Sequence, residues 1–236
     1  MKILTRIPVT IIFTILAFIY LPSINIIHEP YSAIMKALPT LLLIAAISYG
    51  RGAIEDKMSY DLATIALVFS IIGDAFGDLK STVGDLAFLG QIAFFSVAQI
   101  TYGWSFCKHV HSSKWETLPW NLRYIKLVFC ILVVGFFWGY GFFLMKSINE
   151  KMLYYAVAIY MTLIVFMGIS AILQVRKESG YFIAGALSFI ISDSLLAYDA
   201  FVGGFPFRDE LVMWTYYAAQ MLLNMALIRK TREARA

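Results

Sequence analysis

Two apolar stretches carry carboxylates where a bilayer-spanning helix would ordinarily have none. Ser188 to Phe201 reads SFIISDSLLAYDAF and holds Asp193 and Asp199, while Phe69 to Leu79 reads FSIIGDAFGDL and holds Asp74 and Asp78. Ionisable groups at such depth are expensive and mark sites that use them. Two carboxyl groups sharing an apolar pocket do not both ionise comfortably. One is expected to keep its proton while the other stays charged, which equips the pair for general acid and base work on an uncharged substrate.

Helical spacing says which polar groups share a face. Asp74 and Asp78 are four apart, Ser70 is one turn earlier, and Gly73 and Gly77 form a small-xxx-small pair that lets another helix approach closely. Gln91, Gln99 and Tyr102 fall within a sector of about 80° at 100° per residue. Ser188, Ser192 and Asp199 form one stripe, with Asp193 about a quarter turn aside, and Tyr217, Gln220 and Asn224 supply a fourth polar face. A plainer reading of the Ser, Gln and Asn residues is that they hydrogen-bond helices together.

The elements that must position these groups follow from composition. The 236 residues are 61% hydrophobic and 14% charged, with a mean hydropathy of +0.76, too apolar for a soluble domain of this size. Apolar windows of bilayer length fall at roughly 7–27, 31–50, 61–79, 85–106, 122–145, 151–174, 179–202 and 211–229. The expectation is an all-α bundle of eight transmembrane helices forming one integral membrane domain over 1–236. The first window has a basic flank but no small-residue cleavage site, so it reads as a span rather than a removable signal.

Orientation follows from the basic residues. With the N-terminus inside, fourteen lysines and arginines lie on that face and four, Lys80, Lys146, Lys151 and Arg208, on the other. A multi-pass protein of the cell (inner) membrane with both termini cytoplasmic is expected. Asp74 and Asp193 then lie in the outer half of the membrane, as does Lys36, which either pairs with them or snorkels to the headgroups.

A repeat is also suggested. FSIIGD, ending at Asp74, matches SFIISD, ending at Asp193, and the following helices match around Gln99 and Gln220, 25 and 27 residues on. Four helices separate the copies, as in a pair of parallel four-helix repeats.

Other chemistries are thin. The basic residues are scattered through joins without interleaved aromatics, so no nucleic-acid partner is expected. Cys107 and Cys130 lack metal spacing, HVH at 109–111 is weak as a metal site, and no HExxH or EF-hand pattern occurs. GDAFGD lacks the lysine of a phosphate loop, and a triad of Ser192, an aspartate and His28 lacks the GxSxG elbow.

Several motifs in order resemble the YhhN-like lysoplasmalogenase family: KALP at 36–39, GD at 73–74, FLGQIAFFSVAQITY at 88–102, GALSFIISDSLLA at 185–197 and YYAAQMLL at 216–223. The resemblance covers most of the chain. It implies cleavage of the vinyl ether bond of a lysoplasmalogen, a lysophospholipid, to a fatty aldehyde and glycerophosphoethanolamine or glycerophosphocholine, with no metal or other cofactor. It carries over Asp74 and Asp193 as the motif aspartates. One position departs from the family, Gln99 standing where a histidine is common; glutamine hydrogen-bonds but does not titrate. On this reading Lys36 meets the phosphate, and Asp78, Gln99, Tyr102, Asp199, Tyr217, Gln220 and Asn224 surround the glycerol and the water. The tail lies among apolar side chains open to membrane lipid. The sequence leaves oligomeric state open. The alternative is a transporter or proton-coupled carrier, since intramembrane Asp and Lys with a possible repeat are also what carriers use.

Overall fold

A computed structural model describes residues 9–23, 31–51, 57–110, 114–175 and 179–235. His28, the HEP join at 28–30, His111 and the basic residues Lys2, Arg6, Arg176 and Lys177 lie outside the described residues. Every regular element among them is helical: α1 (Val9–Ser23), α2 (Tyr31–Arg51), α3 (Lys57–Asp78), α4 (Lys80–Val83), α5 (Asp85–Val110), α6 (Lys114–Thr117), α7 (Trp120–Met145), α8 (Lys151–Ile172), α9 (Ser179–Phe201) and α10 (Arg208–Arg235). No strand occurs among the described residues.

Five of these are long and apolar enough to cross a bilayer: α3, the Asp85–Cys107 part of α5, α7, α8 and α9. The chain is therefore a multi-pass membrane protein. Apolar parts of α1 and α2, Ile11–Tyr20 and Ala33–Tyr49, are shorter. Lys36 and Pro39 interrupt the apolar character of α2, and α10 begins with Asp209 and Glu210 in its first turn.

Turn chemistry sets the joins. Gly84, at φ +72°, lets the single turn α4 feed directly into α5, and Gly203, at φ +153°, ends α9 before the loop that leads to α10. Pro119, with φ −53° and ψ 141°, precedes α7, where a missing N–H leaves no helical bond unmade. At the end of α8 the ammonium of Lys126 donates to the carbonyls of Ile172 and Gln174 at 2.7 and 2.8 Å. These are carbonyls a helix C-terminus leaves without partners. Lys126, expected among the basic residues of the inner face, is thus a buried cap.

Two helix pairs make the most intimate contacts, α9 with α10 and α3 with α5. Small residues allow both. A Cβ placed on Gly185 of α9 would lie 2.9 Å from the Leu223 backbone nitrogen of α10. Cβ atoms on Gly73 and Gly77 of α3 would lie 2.8 Å from the Phe95 ring and 2.6 Å from the Gln91 amide of α5. Helix α2 packs on α3 and α10, and α8 on α5, α7 and α9. At the flank, α7 turns Ile131, Trp138 and Phe142 outward, an exposure that suits lipid and not water.

Candidate active site

The carboxylates fall into two centres. In the first, the Lys36 ammonium on α2 donates to Asp78 Oδ1 at 3.0 Å and lies 3.5 Å from Asp74 Oδ1. The two acids are one helical turn apart on α3, so one cation reaches both. The second oxygen of Asp74 accepts the Tyr216 hydroxyl of α10 at 2.7 Å, and the neighbouring Tyr217 hydroxyl donates to the Lys36 carbonyl at 2.9 Å. Lys36, Asp74, Tyr216 and Tyr217 are buried. Of the two sequence readings of Lys36, the structure shows pairing.

The second centre is Asp193 on α9. Its carboxylate accepts the hydroxyl of Tyr160 on α8, and Gln99 on α5 donates to the same hydroxyl at 3.3 Å. Among the described residues no lysine or arginine pairs with Asp193. Asp193 instead lines a cavity with about 580 Å³ of empty space, its open mouth included, whose walls include Phe88, Gln91, Phe95, Tyr160 and Phe201. Its mostly apolar lining suits a lipid chain.

Aromatic rings separate the two centres. Phe95, Phe189 and Tyr216 stand edge-on to one another, with centroids 6.2, 6.0 and 5.8 Å apart. The Phe95 ring lies on Gly73, the residue before Asp74, and also lines the cavity. Phe189 is one turn before Asp193, and Tyr216 holds Asp74. Asp193 lines the cavity, and Asp74 is not among the cavity-lining residues.

The remaining candidates divide. Tyr102, Gln220 and Asn224 close on one another: Tyr102 donates to Gln220 Oε1 at 2.8 Å, and Asn224 Nδ2 donates to the Tyr102 hydroxyl at 3.0 Å. All three are buried, and none lines the cavity. Asp199 pairs with Arg208 Nε at 2.8 Å at the junction of α9 and α10, apart from the Lys36 centre. Ser192 donates to the Val212 carbonyl at 3.0 Å, which fixes α9 to α10.

Tyr160 and Tyr216 were missed as partners of the aspartates. Tyr216 stood beside Tyr217 in a quoted motif, and its neighbour's polar stripe was the available signal. Tyr160 had none, because its apolar helix carries no other buried acid or amide. Gln91 was placed on the right face but not in the site. No group of three or more His, Cys, Asp or Glu able to hold a metal occurs among the described residues.

A family model described as the YhhN family matches residues 31–227. Among curated proteins, Lysoplasmalogenase TMEM86A of Bos taurus is 29% identical over 205 residues, covering 84% of this chain and 78% of its own. Lysoplasmalogenase TMEM86B of Rattus norvegicus is 30% identical over 201 residues, covering 84% and 73%. The Homo sapiens Lysoplasmalogenase TMEM86A is 28% identical over 205 residues, covering 84% and 78%. No solved structure gives a significant match.

Proposed function

The chain belongs to the YhhN family, and from that premise we propose that it hydrolyses the vinyl ether bond of a lysoplasmalogen. The observation that carries the reading is the place of Asp193, a motif aspartate, on the wall of a largely apolar cavity and hydrogen-bonded to Tyr160. An acid with no paired cation in an apolar cavity is suited to act in its neutral form.

Asp193 delivers its proton to the vinyl carbon β to the ether oxygen, and that oxygen stabilises the resulting oxocarbenium ion. Water adds to the cationic carbon, and its proton returns to the Asp193 carboxylate. The hemiacetal then breaks into a fatty aldehyde and the glycerophospho-alcohol. Asp74, held as an anion by Lys36 and Tyr216, places a fixed negative charge behind the rings, which favours the cation. Lys36 and Asp78 then serve to position Asp74. The phosphate is assigned to Lys80, whose ammonium stands 4.4 Å over the centroid of the cavity-wall ring Phe88, rather than to Lys36.

In this reading α1, α2 and α10 complete an eight-span, single-domain bundle, with both termini cytoplasmic and the inner membrane as its home. Its halves are two parallel four-helix repeats. Incubating purified protein with alkenyl and acyl lysolipids and following aldehyde by mass spectrometry tests the chemistry. Release from the alkenyl lipid alone, lost in Asp193→Asn and reduced in Asp74→Asn, is expected. Full turnover in folded Asp193→Asn would sink it, and uptake into proteoliposomes without chemical change would favour a carrier.

A further inference from the structure

Gln91 is one of three polar residues on the cavity wall, with Tyr140 and Ser194, that the reaction above leaves unused. Gln91 is only 8% exposed and lines the cavity with Asp193. A largely buried carboxamide is kept where something can meet its hydrogen-bonding groups. It offers both a donor and an acceptor to whatever fills the cavity.

The neighbouring helix makes room for it. Gly77 faces the amide so closely that a Cβ there would lie 2.6 Å from Nε2 and 2.9 Å from Cδ. The missing Cβ therefore fixes where the carboxamide rests. On α5 the order Gln91, Phe95, Gln99 advances one turn at a time, and Gln99 reaches Asp193 through Tyr160. Gln91 thus stands two turns from the group that steadies the acid, on the same stripe.

We propose that the Gln91 carboxamide, seated in the notch of Gly77, hydrogen-bonds the free hydroxyl on the middle glycerol carbon and so selects single-chain lipids. The assignment rests on the lysoplasmalogen reading for the identity of the hydroxyl. A lipid acylated at that carbon brings no donor and adds a second chain, and a site built around a substrate hydroxyl discriminates strongly against analogues that lack it. Gln91 is in this sense a specificity residue, and Gly77 positions it.

The test separates binding from turnover. The probes are a saturated 1-O-alkyl lysophosphocholine, which has no vinyl ether to cleave, and its counterpart lacking the middle hydroxyl. The wild-type protein in detergent is expected to bind the hydroxyl-bearing lipid on the order of tenfold to a hundredfold more tightly. Gln91→Leu, and independently Gly77→Ala, should bring the two affinities within about twofold of each other, since both lose or displace one hydrogen-bonding group. Gly77→Ala meets only the end of a flexible side chain, so its thermal transition should stay close to wild type. No preference in wild type, or a preference that persists in Gln91→Leu, overturns the proposal. Aldehyde release from the alkenyl lysolipid by wild type is read in parallel. Its absence would refute the hydrolase reading, while a preference lost in Gln91→Leu would still uphold this one.

Discussion

The Tyr160 hydroxyl on α8 donates to Asp193 on α9, and the same hydroxyl accepts from Gln99 on α5 at 3.3 Å. Three helices therefore set the orientation of one carboxyl group. Tyr160→Phe removes the hydroxyl and leaves the ring, so the fold should lose only about 1–2 kcal/mol in thermal unfolding. Turnover is expected to fall by roughly tenfold or more, because a poorly oriented acid transfers its proton badly. Wild-type turnover in this variant would show that Asp193 needs no such support.

Lys36 stands between two acids, 3.0 Å from Asp78 and 3.5 Å from Asp74. Removing one partner of a buried ion pair costs on the order of 3–5 kcal/mol, and the partly exposed Asp78 argues for the lower end. Lys36→Met should accordingly lower the melting temperature in detergent. Adding Asp78→Asn should recover part of the loss by removing one uncompensated charge. An unchanged melting temperature in Lys36→Met would refute the ion-pair account.

Two glycines give opposite expectations. A Cβ on Gly185 meets the α10 backbone at Leu223, which cannot turn aside, whereas one on Gly135 meets open space. Gly185→Ala should destabilise by about 1–3 kcal/mol through overpacking. Gly135→Ala should be neutral or gain up to about 1 kcal/mol of helix propensity. Calorimetry of both variants in one detergent decides the matter.

Tyr102, Gln220 and Asn224, expected around the substrate, hydrogen-bond to one another and do not line the cavity. Tyr102→Phe should therefore cost about 1–2 kcal/mol of stability and leave aldehyde release within about twofold. A collapse of turnover at unchanged stability would restore them to the site.

Much of the first centre was legible because the bilayer makes charge expensive. Lys36 was expected at the depth of Asp74 and Asp193, and the structure pairs it with Asp74 and with Asp78 one turn on, but not with Asp193. The same rule says nothing of tyrosines, which sit comfortably in apolar helices and whose hydroxyl partners are chosen by long-range packing. Tyr160 and Tyr216 were hidden for that reason. Asp199 was read as part of a helix stripe, yet it lies two residues from the end of α9, within reach of Arg208 across a short loop. The five helices that meet the bilayer criterion were plain from their apolar runs. Those of α1, α2 and α10 are shortened by the described bounds or interrupted by charge.

The rings of Phe95, Phe189 and Tyr216 behave as an insulator between two electrodes, three edge-on faces set between the Lys36–Asp74 pair and the cavity of Asp193. In the proposed reaction one electrode keeps a constant bias while the other exchanges its proton with every round of chemistry. Phe95→Ala would puncture that barrier and let both acids wet from a single chamber.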